Sequence, residues 1–176
     1  MSSHWPSLRR LLAHVGGSAP LGKPAQLLLA LGLHDLGWKI LAEHESEDID
    51  IEAQDPSGKR WGIECKLTQA HSKVLEAKDL QDLKKAASLG LSPVLAFHRL
   101  GPLSGWMLVE AGGLSGDVDY TEAYLRLIPA VAQEGPINDA FTQALERELP
   151  ALLALPPGEV QGALNEKVKK AIADEA

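Results

Sequence analysis

A single cysteine, Cys65, excludes an internal disulfide and suits a reducing compartment. Six histidines (His4, His14, His34, His44, His71, His98) include no pair at zinc-ligand spacing and are expected mostly at the surface or the edge of the core. No apolar stretch approaches membrane-spanning length, and the first residues lack a cationic segment followed by an apolar run and a cleavage site. A cytoplasmic protein is therefore expected, soluble and without membrane contact. Neither Gly16-Gly17 nor Gly112-Gly113 has the spaced glycines and lysine of a phosphate loop, and no Ser-His-Asp or Cys-His arrangement is legible. Basic residues are outnumbered, 17 against 24 acids, and the net charge of -7 argues against wholesale coating of nucleic acid, which needs a basic face.

What is present is a core and a patterned hairpin. At 176 residues and 45% hydrophobic, the chain can bury a sizeable core without structural metals. Ile49-Asp50-Ile51-Glu52, a turn at Pro56 to Lys59 containing Gly58, and Trp61-Gly62-Ile63-Glu64-Cys65-Lys66-Leu67 read as two strands. Strand alternation sends Asp48 and Asp50 to one face, with Glu64 and Lys66 sharing a face, and leaves Ile49, Ile51, Ile63, Cys65 and Leu67 for the core. Cys65 then reads as a small buried hydrophobe.

Pairing the strands brings Asp50 toward Glu64, and two like charges on one sheet face repel unless neutralised. A divalent cation is the natural neutraliser, and oxygen donors with retained waters are what Mg²⁺ prefers. Lys66 beside it would hold a water or offset charge growing on phosphorus. Taken alone, Glu-x-Lys on a strand is a common solvated pairing. The clear apolar side of the hairpin is what makes the acids converge on a defined surface.

Helices are expected over Trp5 to Val15, Lys23 to Leu36 and Val74 to Leu89, the last with Ser72 as cap, Leu80, Leu83, Ala86 and Ala87 inward, and Gly90 as stop. The leucines of the second are apolar around most of its circumference, so it should be buried on more than one side. Strands are expected over Trp38 to Ala42, Ile49 to Gln54, Arg60 to Leu67, Pro93 to Phe97 and Trp106 to Glu110. Further helices follow over Asp119 to Val131, Ile137 to Leu155 and Glu159 to Ala173, separated by Gly135-Pro136 and Pro156-Pro157-Gly158. The alternation predicts a layered α/β fold with a mixed central sheet flanked by helices and a helical C-terminal extension. Three parts are expected: an N-terminal helical segment (1–20), a core (21–113) and the extension (114–176). Trp38, Trp61 and Trp106 read as core aromatics rather than base-stacking platforms.

The order of a helix, a strand after Gly37-Trp38, a loop with Ser46, Asp50, a turn, Ile63-Glu64-Cys65-Lys66, a helix, Pro93-Val94-Leu95-Ala96 and Gly105-Trp106 with Glu110 resembles the PD-(D/E)xK nuclease superfamily. It is most similar to the archaeal-type Holliday junction resolvases, over about Leu21 to Ala111, roughly half the chain. The resemblance implies a restriction-endonuclease-like fold in which Asp50 and Glu64 bind metal with the Cys65 carbonyl, and Lys66 is the catalytic lysine. Asp48 is an alternative to Asp50, which spacing to Glu64 favours. Ser46 falls where the family has a serine near the scissile phosphate. Gln26 stands where the family usually has an assisting glutamate, which implies weaker metal affinity. Glu47 and Asp48 stand where the resolvases are often basic.

The implied protein is a Mg²⁺-dependent endonuclease, with Mn²⁺ able to substitute, acting on branched DNA as a homodimer. The two-fold symmetry suits paired cuts. The alternatives are another nuclease of the superfamily, of restriction or defence type, and an inactive nuclease-like DNA-binding module. Lys59, Arg60, Lys66, Lys73, Lys78, Lys84, Lys85, His98 and Arg99 concentrate positive charge in and after the hairpin. They either form a phosphate groove, with Lys59, Arg60, Lys73 and Lys78 as its DNA contacts, or solvate an exposed face.

Overall fold

The computed structural model describes residues 3–43, 49–116 and 118–174. In chain order the elements are α1 (Trp5–Val15), α2 (Ser18–Asp35), β1 (Lys39–Glu43), β2 (Ile51–Gln54), β3 (Arg60–Thr68), β4 (Ser72–Val74) and α3 (Ala77–Ser88). Then come β5 (Ser92–Arg99), β6 (Met107–Glu110), β7 (Asp119–Thr121), the single turn α4 (Glu122–Leu125), α5 (Glu134–Ala154) and α6 (Val160–Ala173). A five-stranded sheet has the order β1-β2-β3-β5-β6, with β3 and β5 parallel and the other pairs antiparallel. Strands β4 and β7 make a separate two-stranded sheet. This is the mixed α/β sheet flanked by helices that the sequence pattern predicts, and its C-terminal end is helical.

Helix α2 carries the main core. Every residue from Pro24 to Leu33 is buried, because the helix lies between the sheet on one side and α5 and α6 on the other. The α2–α5 crossing is close at Gly32, where a Cβ would meet the Phe141 backbone nitrogen at 2.9 Å. Helix α2 begins at Ser18 rather than Lys23. Pro20 falls in the first turn, where its missing N–H has no internal partner to lose, while Pro24 lies inside the helix and forgoes one bond that the buried packing of α2 outweighs.

The hairpin forms at the expected place. Gly58 donates its N–H to the Asp55 carbonyl at 2.9 Å and has φ +89°, a left-handed conformation that glycine adopts without strain. The Asp55 carboxylate accepts from the Ser57 and Lys59 N–H groups and from Trp61 Nε1, which fixes the turn and the buried indole together.

Five expectations need correction. The hairpin does not present an open charged face: Ile63 packs toward α2, and the opposite face of β3 is covered by α3. Parallel pairing with β5 buries β3 centrally, and a central strand is covered on both faces. Ile49 joins the α3-side cluster rather than that of Ile51, because the chain is not yet a strand before Ile51 and alternation does not apply. Helix α3 starts at Ala77, not Val74, and Glu76 rather than Ser72 caps it; Ser72–Val74 is a strand instead, and Ala87 is exposed. Asp119 to Val131 is not one helix but β7, one helical turn and a loop, since β4 supplies Asp119–Thr121 with a strand partner and Pro129 follows. Gly135 and Pro136 lie within the first turn of α5, where proline is tolerated.

Candidate active site

The register Ile51↔Ile63 sets Asp50 beside Glu64 just beyond the end of β2. There the Asp50 carboxylate replaces a backbone partner: its Oδ2 accepts a 2.7 Å hydrogen bond from the Cys65 N–H. Gln26, buried on α2, holds the same residue from the other side by donating Nε2 to the Asp50 carbonyl at 3.2 Å. The glutamine thus orients Asp50 through its backbone. In an antiparallel ladder a residue's N–H and C=O turn to the same neighbour, so the Cys65 carbonyl opens toward the Asp50 edge. Its thiol packs against the core, and burial followed by the Asp50 and Glu64 charges pushes its pKa well up, which leaves it unreactive.

Glu64 is 5% exposed, and its Oε2 is buried with no hydrogen-bond partner among the described residues. Burial, then the Asp50 charge, raise its pKa to about 8 against the opposing pull of Lys66. Lys66 Nζ lies 3.1 Å from Glu64 Oε1 and 2.8 Å from Asp79 Oδ1. Burial works against its ammonium, but the Asp79 hydrogen bond and the Glu64 and Asp79 charges outweigh it and hold the pKa above the ordinary lysine range.

Asp79 is the residue that sequence reasoning missed. It is the third residue of α3, and its Oδ2 accepts the Glu76 N–H at 3.0 Å in a reciprocal capping box. The Glu-x-x-Asp spacing of Glu76 and Asp79 was the available signal.

The donor set fits a hard divalent cation on the evidence of the orphaned Glu64 oxygen. Asp50, Glu64 and the Cys65 carbonyl would hold it. Among the described residues no cluster of three or more His, Cys, Asp or Glu side chains is arranged for a metal, so water would complete the coordination. Ser46, Glu47 and Asp48 lie outside the described residues.

The basic residues do not form one groove. Lys59 and Arg60 sit at the turn end of the nine-residue β3, with Lys59 Nζ 4.0 Å from the Trp61 ring centroid. Lys73 and Lys78 are exposed beyond the opposite end, roughly 25 Å away at strand rise, near Lys66. Arg99 is paired with Glu122 at 2.7 Å. His98 is not a surface cation: it is fully buried on the α5 side of the sheet, and burial followed by the neighbouring His4 lowers its pKa to about 3. His4 is buried with it, 2.8 Å between Nε2 atoms, its pKa lowered by burial to about 4. A cavity of about 360 Å³ near this pair, lined by His4, Trp106, Asn138 and Thr142 among others, lies across the sheet from Glu64.

No protein-family model matches the sequence, and no curated protein matches it. Among solved structures, the chain is similar to Hjc, a Holliday junction resolvase from Archaeoglobus fulgidus, at 18% identity. The similarity covers 57% of this chain and 84% of that one, with a TM-score of 0.46. Among the described residues no helix is long and apolar enough to cross a membrane.

Proposed function

We propose that this chain is a divalent-metal-dependent DNA endonuclease that resolves four-way junctions by paired phosphodiester hydrolysis. The observation that carries the reading is the buried Glu64 oxygen, without a hydrogen-bond partner among the described residues, beside Asp50 and Lys66. Left half-satisfied in the interior, the anion is costly, the same cost that raises the Glu64 pKa, and a divalent cation at the open oxygen would offset it. The motif order from Leu21 to Ala111 supports the same reaction class.

Asp50 and Glu64 would hold the Mg²⁺ or Mn²⁺ ion, which would supply Lewis-acid chemistry at the scissile phosphate. The chain's residues do the rest. Gln26 and the Cys65 N–H fix the Asp50 carboxylate so that it needs no reorientation. Lys66 presents a fixed positive charge to the phosphoryl oxygens, where charge accumulates as water attacks and the strand's oxygen leaves. Lys73 and Lys78 lie at the same end of β3 for backbone phosphates. Shape rather than sequence selects the junction, and a two-fold dimer cuts opposed strands.

A second reading is favoured by one observation: Gln26 spends its amide on the Asp50 backbone and supplies no carboxylate. An inactive junction-binding module would look like this.

The test is cleavage of a labelled synthetic four-way junction, with linear duplex of the same arms as control, in Mg²⁺ and in EDTA. Paired nicks on the junction alone, lost in Asp50→Asn and Lys66→Ala, are expected. Cutting of the linear control would move the protein to a general or defence nuclease. Junction binding without cutting would make it the inactive module.

A further inference from the structure

Lys66 stands between two carboxylates with different demands on it. Glu64 Oε1 lies 3.1 Å from its Nζ and Asp79 Oδ1 lies 2.8 Å away on the other side. An ammonium drawn fully onto Glu64 would compete with a metal ion for the same oxygens. A nearer partner on a rigid element limits that approach.

We propose that Asp79 is a positioning residue that anchors Lys66 to the first turn of α3 and so keeps the Glu64 carboxylate open to a divalent cation. This rests on the metal-site reading above.

The anchor is itself fixed. Asp79 is 7% exposed, its Oδ2 is occupied by the Glu76 N–H, and only Oδ1 remains for the lysine. The Glu76 side chain accepts the Asp79 backbone N–H in return, a bond to the main chain, so the Asp79 carboxylate itself is held by the Glu76 N–H and by Lys66. The distance between α3 and β3 is set by contact: a Cβ on Gly62 would lie 2.9 Å from the Ala86 Cβ. Capping alone would occupy one oxygen and would not require a half-buried lysine on the other. The second oxygen therefore has a task that capping does not explain.

The test is calorimetric titration of Mn²⁺ into the full chain without DNA, for wild type, Asp50→Ala, Asp79→Asn, Lys66→Met, the Asp79→Asn/Lys66→Met double variant and Glu76→Ala, with a thermal melt of each to confirm folding. Asparagine keeps an acceptor for the Glu76 N–H and removes the charge that holds Lys66. Asp79→Asn is expected to weaken Mn²⁺ binding roughly tenfold, a coupling typical of contacting residues. Lys66→Met should raise affinity more in the Asp79→Asn background than in wild type, because that is where the lysine blocks Glu64. Glu76→Ala should stay within about twofold of wild type.

Equal gains from Lys66→Met in both backgrounds would overturn the proposal, as would a loss in Glu76→Ala matching that in Asp79→Asn, since either reduces Asp79 to a distant charge or a cap. If wild type and Asp50→Ala bind Mn²⁺ alike, the metal-site reading falls and takes this proposal with it. That outcome is distinct from one in which wild type binds through Asp50 and only the Asp79 cycle fails.

Discussion

The Asp50 carboxylate accepts the Cys65 N–H at 2.7 Å, so one side chain both closes the strand ladder and faces Glu64. These two duties separate on substitution. Asp50→Asn keeps an acceptor for the amide and should melt close to wild type while losing Mn²⁺ binding and cleavage. Asp50→Ala orphans the Cys65 N–H and should cost about 1.5–3 kcal/mol in urea unfolding, the range for a hydrogen bond to a charged group. Equal stability of the two variants would show that the bond is not held in solution.

Glu64→Gln separates charge from shape at the buried oxygen. The amide cannot serve as an anionic ligand, and without metal it should change stability by less than about 1 kcal/mol, since burial and Asp50 already disfavour the Glu64 charge and the amide mainly weakens the Lys66 contact. Wild type should gain thermal stability on adding Mn²⁺ by linkage, and the variant should not. A melting curve of Glu64→Gln that still rises with Mn²⁺ would place the metal elsewhere.

The sequence made the hairpin and its acids legible because strand periodicity and the Asp55 to Lys59 turn are local signals. Glu64 and Lys66 sit where alternation put them, on the face away from Ile63. What alternation could not show is what covers that face. Helix α3 is brought there by the parallel pairing of β3 with β5, a non-local event, and with it comes Asp79. The same cause hid His98, whose neighbour His4 is 94 positions away in sequence. Asp119–Thr121 read as helix because its strand partner, Ser72–Val74, lies in a segment itself read as helical on one side. Local cues failed where the pairing was distant.

The His4–His98 pair should make the fold acid-sensitive. Thr142 Oγ1 donates to the Asn138 carbonyl, so it accepts from His4 Nδ1, which leaves His4 Nε2 to accept from His98 Nε2. Both rings are neutral in this chain of bonds. Their folded pKa values, about 4 and about 3, lie below the unfolded value near 6.5, so the unfolded state takes up protons first. The stabilisation is complete above about pH 6.5 and is lost as pH falls toward 4, by on the order of 3 kcal/mol for His4 alone. Urea midpoints between pH 7 and 4.5 check this. His4→Phe combined with His98→Phe should flatten that part of the profile, and an unchanged slope would refute the assignment.

Gly62→Ala tests whether the sheet-to-helix distance governs the site. A Cβ there would lie 2.9 Å from the Ala86 Cβ and 3.3 Å from Leu91 Cδ1, so α3 must move outward or β3 must bend. Overpacking of this kind costs about 1–3 kcal/mol. Because Asp79 rides on α3 and Lys66 on β3, the same displacement lengthens their 2.8 Å contact. The variant should therefore fold with reduced stability and also bind Mn²⁺ more weakly, in proportion to Asp79→Asn. Gly32→Ala is the control: it strains the α2–α5 contact, across the sheet from Lys66, against the Phe141 backbone at the same 2.9 Å. It should destabilise at least as much and leave Mn²⁺ affinity of the folded protein unchanged. If both variants lose metal affinity alike, general loosening of the fold explains the effect. If only Gly62→Ala does, the spacing between β3 and α3 sets the geometry of the site.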